Sequence, residues 1–225
     1  MRQLRILGLA SIVIVALFFT FKFYIADLHY YNVKNNVERW RKDPTSADLE
    51  SIEKSMVRID KAISLSSDNA LYYQLRGQLH EWKSYISPLD KRFHLKNATS
   101  EYKKSLVYRP YWAPTWINLA WVKWRLNELD EDFELYLANA LKTGAQQASV
   151  HYFIVDFAFA QYNLKSAKYL LVYKLLPLHL KMGLQNPLSE RNVLKAIKER
   201  NASELACRLL KSEPLRLRKK IPGCR

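Results

Sequence analysis

Residues 102–120 read YKKSLVYRPYWAPTWINLA, and this stretch decides the fold class. Its first part ends a helix, a proline turn follows at Pro110, and Trp116 then precedes Ala120 by four positions. A small residue one helical turn after an aromatic residue lets two helices approach each other closely. The stretch therefore predicts two packed helices joined by a short turn.

The same arrangement occurs upstream. Residues 60–77 read DKAISLSSDNALYYQLRG, in which we expect Asp68 to cap the second helix and Tyr73 precedes Gly77 by four positions. The two stretches indicate a repeat of roughly 34 to 40 residues, and both resemble the tetratricopeptide (TPR) pattern. Residues 126–144 resemble the second helix of such a repeat. A third, weaker unit is expected to begin near Ala148.

Helices are predicted for almost the whole chain. Glycine occurs only five times in 225 residues, and sheet proteins need glycine at their turns. We therefore predict an all-α protein with a TPR-like α-solenoid of about three helical hairpins. The predicted parts are an N-terminal transmembrane helix at 1–28, a juxtamembrane segment at 29–45, the TPR-like domain at 46–183, short capping helices at 184–211 and a basic tail at 212–225.

An apolar run opens the chain. After Arg2 and Arg5 it extends from Ile6 to Phe21 and, past one lysine, to Ala26. As a helix, this run of about 21 residues is about 31 Å long, which matches the hydrocarbon core of a bilayer. The small-residue pattern of a signal-peptidase site is incomplete, because a tyrosine fills one of its positions. We expect an uncleaved signal anchor in the bacterial inner membrane.

The charges beside the apolar run give conflicting evidence on orientation. More lysine and arginine residues follow the run than precede it, which favours a cytoplasmic C-terminal domain. The short N-terminal tail is nevertheless charged directly beside the run, as at the start of a signal peptide. We expect the N-terminus in the cytoplasm and the C-terminal domain in the periplasm.

The net charge is +15. Such a charge either only keeps the protein soluble or attracts it to an anionic membrane surface, an acidic polymer or nucleic acid. Four basic residues lie close together in the C-terminal tail, namely Arg216, Arg218, Lys219 and Lys220. For a protein anchored outside the cytoplasm, we expect no nucleic-acid partner. Anionic lipid headgroups or an acidic polysaccharide fit this tail better, and a solvated tail without a ligand is the alternative.

The chain has two cysteines, Cys207 and Cys224, and no CxxC motif. In an oxidising compartment they could form a disulfide that closes a short C-terminal loop. The alternative is a buried Cys207 on a helix and an incidental terminal thiol at Cys224.

Catalytic and metal-binding patterns are missing from the sequence. The five histidines do not cluster, and no zinc motif, Walker loop, GxGxxG or GxSxG is present. Paired carboxylates occur in ELDEDFE, residues 128–134, where they are better explained as the start of a helix, whose dipole favours negative charge. We expect no catalytic residue, no metal and no cofactor, although an enzyme with an unfamiliar site remains a third hypothesis.

Four of the six tryptophans lie between Trp112 and Trp124. Tryptophan can fill a core, stack on sugars or bases, or anchor at a membrane interface. At about 100° per residue, a helix from Ala113 places Trp116 and Ala120 in the core. The positions that line the concave groove of a TPR-like stack are Ile117, Asn118, Trp121, Trp124 and Arg125. Aromatic faces beside an amide and a guanidinium suit a peptide or a sugar ring, and core packing throughout is the alternative.

The stretch that contains these tryptophans resembles the VpsP family of polysaccharide biosynthesis proteins, which are small membrane proteins of bacterial exopolysaccharide operons. The shared features are an Arg-Pro, an aromatic-proline turn, a Trp-x-Asn-Leu-Ala helix start and an acidic run that leads to a phenylalanine. A last helix bearing Cys207 is also similar. The matching positions are Arg109, Pro110, Trp112, Pro114, Trp116, Asn118, Leu119, Ala120, Leu129, Asp130, Glu131 and Phe133.

The resemblance implies an accessory role in exopolysaccharide production for a biofilm matrix, without catalytic residues. The first hypothesis is therefore a non-catalytic, membrane-anchored adaptor whose groove holds a protein partner from the polysaccharide polymerisation or export machinery. The second hypothesis is direct binding of an acidic polysaccharide by aromatic and basic residues.

Overall fold

The computed structural model describes the backbone of residues 2–224 and the side chains of Leu9 and residues 11–224. Helices make up 79% of the structure, and this part of the chain contains no strand. The predicted all-α class is confirmed. The side chains of Arg2 and Arg5, and Arg225 at the end of the predicted tail, lie outside the described residues.

The chain divides into two compact units, and the boundary lies between Pro110 and Tyr111. This boundary falls inside the segment 46–183 that was predicted as one repeat domain. In the first unit each helix packs against the next one along the chain. The helices of this unit are α1 (Arg2–Lys42), α2 (Leu49–Leu65), α3 (Ala70–Ile86) and α4 (Lys91–Tyr108).

Helix α1 continues without a break from the apolar run into the folded unit. Large apolar side chains between Leu9 and Tyr24 are exposed, and α1 is long and apolar enough to cross a membrane. Its second half is instead packed into the core with α2 and α3. The buried positions of this half are Ala26, Val33, Val37 and Trp40. Most of the predicted juxtamembrane segment 29–45 is therefore part of the first unit.

The hairpins of the first unit depend on specific local contacts. Helix α3 begins at Asn69, whose side chain accepts a hydrogen bond from the Leu71 amide. The predicted cap, Asp68, instead accepts a hydrogen bond from the Ser66 hydroxyl at 3.0 Å. In the middle of α3, a Cβ atom added to Gly77 would lie 2.5 Å from the ring of Tyr102. Only glycine therefore allows α3 and α4 to pack at this distance.

The second unit starts at Tyr111. Helix α7 lies at its centre and contacts the helices on either side, because it is apolar on nearly all of its faces and must be buried. The helices of this unit are α5 (Ala113–Arg125), α6 (Glu131–Gly144), α7 (Ala148–Asn163), α8 (Leu176–Gln185), α9 (Glu190–Glu199), α10 (Ser203–Leu209) and α11 (Leu215–Arg218). The third predicted repeat departs from the expected pattern, because residues 167–171 form a 3-10 turn after α7.

Three helices of the second unit end in a left-handed residue that is not glycine. Asn127, Lys165 and Asn201 have φ values of 58°, 51° and 50°. In each case the amide of the following residue bonds to the carbonyl five residues earlier, which is the Schellman arrangement. These ends turn the chain sharply and place the helices of the unit side by side.

Candidate functional site on helices α5, α7 and α9

Two tryptophans of α5 form the centre of the candidate site. The rings of Trp121 and Trp124 are stacked, with centroids 5.1 Å apart and planes 18° apart. Their spacing of three residues places both on one face of the helix. Phe153 of α7 meets Trp121 edge-on at 5.0 Å, and Phe157 meets Trp124 in the same way at 5.0 Å. The tryptophan pair is therefore half-buried and held in one orientation by α7.

Two arginines lie against this pair. The guanidinium carbon of Arg125 is 5.8 Å from the Trp121 ring centre, and that of Arg200 is 5.7 Å from the Trp124 ring centre. Such contacts between a cation and an aromatic face are attractive. The tryptophan faces are thus already in contact with protein groups. A ligand would meet indole edges and two positive charges rather than two bare ring faces.

Arg200, the residue that follows α9, is fixed by a buried carboxylate. Its Nε donates a hydrogen bond to Oδ1 of Asp156 over 2.8 Å. The Asp156 side chain is 8% exposed and the Arg200 side chain 37% exposed. The hydrogen bond to Asp156 raises the pKa of Arg200, so the guanidinium stays charged and remains paired with the Asp156 carboxylate.

The tyrosine beside this pair stays neutral. Tyr152 of α7 lies 5.5 Å from Trp121, ring centre to ring centre. Burial, reinforced by the negative charge of Asp156, raises the pKa of Tyr152 to about 12. Tyr152 therefore contributes an uncharged phenol next to two cations at any physiological pH.

The structure separates the five predicted groove residues. Trp121, Trp124 and Arg125 come together as described, and Asn118 is half-buried on the same helix. Ile117 is 0% exposed, so its prediction as a groove-lining residue is wrong. It lies on the same face of α5 as Trp121 and Trp124, but its side chain is fully covered in the folded unit.

The predicted core pair Trp116 and Ala120 also divides. Ala120 is fully buried, as expected. Trp116 is half-buried and lies 6.0 Å from the ring of Tyr136 on α6. Its placement in the core therefore needs correction, since one side of its indole remains at the surface.

Sequence reasoning did not find Tyr152, Asp156 or Arg200. Helix α7 gave one signal, because Asp156 is the only charged residue between Ala148 and Asn163. A lone acid in an apolar helix indicates a buried ion pair. The identity of its partner, 44 positions away, could not be read from the spacing.

The acidic run after α5 has a structural role. Asp130 caps α6 by accepting a hydrogen bond from the Phe133 amide at 3.1 Å. The buried Lys123 ammonium lies 2.5 Å from Asp130 and 3.3 Å from Glu128. Burial alone would lower the pKa of Lys123, but hydrogen bonds to these two carboxylates outweigh it and raise that pKa. Among the described residues, no three His, Cys, Asp or Glu side chains are grouped to hold a metal ion.

The predicted basic tail is folded onto the second unit. Leu217 and Ile221 are buried, and a disulfide joins Cys207 to Cys224. The Lys220 ammonium donates to the Leu184 carbonyl at 2.7 Å and pairs with Glu190 at 2.9 Å. Lys220 is therefore a structural contact. Of the other predicted tail residues, Arg216 and Lys219 are exposed and Arg218 is half-buried.

Comparison with known proteins adds no further constraint on this site. No protein-family model matches the chain, and no curated protein matches it.

Proposed function

We propose that this protein is a non-catalytic, membrane-anchored accessory protein of bacterial exopolysaccharide production, which holds a protein of the polymerisation or export machinery. The continuity of α1 carries this proposal. Its exposed apolar half is suited to lipid, whereas residues of its second half, such as Val33 and Trp40, are buried in the first unit. A membrane anchor that is also a core helix fixes the attached unit close to the membrane.

The helical units support a TPR-like scaffold. In the first unit each helix packs against the next one, and in the second unit α5 packs against α6. Two small residues at matching repeat positions, Gly77 and Ala120, are buried. Gly77 permits the close approach of Tyr102. TPR-like hairpins bind extended segments of other proteins and need no catalytic group.

The disulfide supports a periplasmic location. Disulfides persist in oxidising compartments and are rare in the cytosol, and Cys207 is bonded to Cys224. A fusion of alkaline phosphatase to the C-terminus tests this orientation. We expect an active fusion, and an inactive fusion with normal membrane insertion would place the domain in the cytoplasm.

The surface formed by Trp121, Trp124, Arg125 and Arg200 suits a protein partner. Tryptophan and arginine dominate the binding energy of protein interfaces. Here they are pre-organised by α7 and by Asp156, which lowers the entropy cost of binding. Two arginines favour a partner segment that carries acidic residues.

Gene removal in the source bacterium tests the process, and a pair of charge reversals tests the surface. We expect loss of the gene to lower the yield of secreted polymer. Arg125→Glu should lower the yield as well, whereas Lys142→Glu, an exposed lysine on α6, should not. An unchanged yield without the gene would refute the proposed process. Equal effects of the two variants, at equal protein levels, would exclude this surface.

A second candidate function is direct binding of an acidic polysaccharide. Residues 165–225 contain fifteen lysines and arginines against four acids, so most of the net charge lies in this part of the chain. A polyanion is attracted to such a region at long range. Co-sedimentation of the full chain with polygalacturonate beads, compared with dextran beads, tests this function. Equal retention on the two polymers would count against it.

A further inference from the structure

A cleft with a volume of about 490 Å³ lies where α7 ends and the 3-10 turn begins. This volume is within the range of small-molecule binding sites. Its lining residues are Gln161, Tyr162, Asn163, Lys165, Ser166 and Tyr169. The sequence did not single them out as site residues.

The side chain of Gln161 is the most informative group in this cleft. The residue is only 3% exposed, yet it lines the cleft. The amide atoms of Gln161 are not among the buried polar atoms that lack a hydrogen-bond partner, so the amide is open to the cleft although the rest of the residue is buried. A side-chain amide can both accept and donate hydrogen bonds. The cleft therefore holds a polar group that is ready to accept and to donate hydrogen bonds.

Two further polar side chains keep unused hydrogen-bonding capacity. Asn163 donates through Nδ2 to the Arg200 carbonyl at 2.6 Å, so its Oδ1 is left as an acceptor. The Ser166 hydroxyl oxygen accepts from the Lys168 amide at 3.2 Å, so its own hydrogen can be donated. Amides and a hydroxyl at one site match the adjacent hydroxyl groups of a sugar, each of which both donates and accepts.

Two tyrosines form the aromatic side of the cleft. The rings of Tyr162 and Tyr169 meet edge-on with centroids 5.5 Å apart. Tyr162 is 42% exposed, and Tyr169 is half-buried. An aromatic face beside hydrogen-bonding groups suits the apolar face of a sugar ring.

The charge at the cleft is positive. Lys165 is its only charged lining residue and is exposed. Arg208 lies near enough for its charge to act on Tyr169: burial raises the pKa of that phenol and Arg208 opposes the increase. No carboxylate lines the cleft. An anionic ligand is therefore favoured over a neutral one.

We propose that this cleft binds a sugar unit that bears a carboxylate, as in a uronic acid polymer. The Gln161 amide and the Ser166 hydroxyl bind ring hydroxyls, Tyr169 packs against the ring, and the Lys165 ammonium faces the carboxylate. This proposal rests on the second candidate function, because it assigns a site and a sugar class to direct polysaccharide binding.

Two substitutions test the cleft without weakening the fold. Gln161→Leu replaces the amide by an apolar group of similar size and leaves no buried polar group without a partner, so its melting temperature should be close to that of the wild type. Lys165→Gly removes the ammonium and places glycine at a left-handed position, which glycine prefers. The matched control is Asn127→Gly, which makes the same backbone change at the end of α5.

The measurement is calorimetric titration of the full chain in detergent micelles with oligogalacturonate, and with dextran oligomers of equal length. We expect wild-type protein and Asn127→Gly to bind oligogalacturonate equally. Gln161→Leu should weaken binding by roughly five- to tenfold and Lys165→Gly by about tenfold, as expected for one hydrogen bond and one charge-assisted bond. Lys165→Gly should also reduce the dependence of binding on salt.

Three results would overturn the proposal, and they have different meanings. If both cleft variants bind oligogalacturonate as tightly as wild type, the polymer binds elsewhere and the second candidate function survives. If wild type binds dextran equally well, recognition of the carboxylate is refuted. If wild type binds neither polymer, the cleft and direct polysaccharide binding both fail, while the adaptor function is unaffected.

Discussion

The hydroxyl of Tyr72 donates a hydrogen bond to the carboxylate of Asp27 over 2.7 Å, at the point where α1 changes from its exposed apolar half to its buried half. One turn further along α1, the ring of Tyr30 lies 5.4 Å from that of Tyr72. Helix α3 is therefore attached to α1 at the end of the exposed apolar half of α1.

Loss of this hydrogen bond should loosen the attachment. Tyr72→Phe keeps the buried ring but leaves Asp27 without its donor, and we expect a loss of about 1 kcal/mol in the free energy of unfolding. Urea titration in detergent micelles, monitored by circular dichroism, measures this loss of free energy. Tyr85→Phe, at a tyrosine that is 63% exposed, is the control and should change nothing. Equal values for the two variants would contradict the role given to Asp27.

The close packing of α3 and α4 gives a second prediction. Gly77→Ala would place a methyl group 2.5 Å from the Tyr102 ring, and that ring is fully buried and hydrogen-bonded to Glu81. Because the ring cannot move aside easily, we expect destabilisation of about 1 to 3 kcal/mol. Ser100→Ala, at an exposed position of α4, serves as the control for helix propensity. A stabilising Gly77→Ala would show that the two helices can separate.

Two buried histidines make the second unit sensitive to acid. The Nδ1 atoms of His151 and His179 are 3.0 Å apart, and the residues are 1% and 2% exposed. Burial lowers the pKa of both imidazoles, and with the neighbouring ring of His151 it lowers that of His179 to about 4. In the folded protein both rings are therefore neutral at pH 7.

The sign of the pH effect follows from these shifts. Above a pH of about 6.5 neither the folded nor the unfolded histidines bind protons, so stability is unaffected. For His179, between about pH 6.5 and 4 the unfolded state binds a proton that the folded state does not, and stability falls by up to about 1.4 kcal/mol per pH unit. The lowered pKa of His151 acts in the same direction. Hydrogen exchange of α7 amides at a series of pH values measures the decline. His179→Leu should make it shallower, and an identical slope in this variant would exclude the pair as its cause.

The ion pair beside the tryptophans should be needed for stability as well as for binding. Arg200→Ala leaves the Asp156 carboxylate buried without a partner, and we expect a loss of about 2 to 3 kcal/mol. Asp156→Asn combined with Arg200→Ala should recover part of this loss, because no isolated charge remains. Thermal unfolding of the single and double variants completes the cycle. Additive losses would show that the two residues do not interact.

The disulfide should hold the C-terminal segment on the second unit. It links residues 17 positions apart, for which loop-closure entropy predicts about 3 kcal/mol. Cys207→Ser and Cys224→Ser should each lower the melting temperature and speed trypsin cleavage after Arg216 and Lys219, because the released backbone can enter the protease site. Equal cleavage rates in the wild type and the variants would show that Leu217 and Ile221 hold the segment without the bond.

The helices could be predicted from the sequence because their signals are local. The spacing of apolar residues, the turn at Pro110 and the scarcity of glycine identified an all-α chain with a long apolar first helix. The turns that precede the helices bearing Tyr73 and Trp116 could also be predicted, because residues close to them in the sequence determine them. Such features depend on contacts within a few turns of one helix.

The second half of α1 shows where local signals were insufficient. Val33 and Trp40 are buried because α2 and α3 cover them, although a polar stretch follows the apolar run in the sequence. In the same way, Ile117 is buried while Trp121, one turn later, is half-exposed. The sequence gives both the same helical face, and the packing of the other helices around α5 decides which of them reaches the surface.

The sequence by itself determined that this chain is helical, basic and opened by an apolar helix, and which helix carries the tryptophans. Only the tertiary structure decided what surrounds them. Arg200 meets Trp124 because helices distant in sequence pack side by side in the second unit. Burial and charge pairing depend on these long-range contacts, and no short-range pattern encodes them.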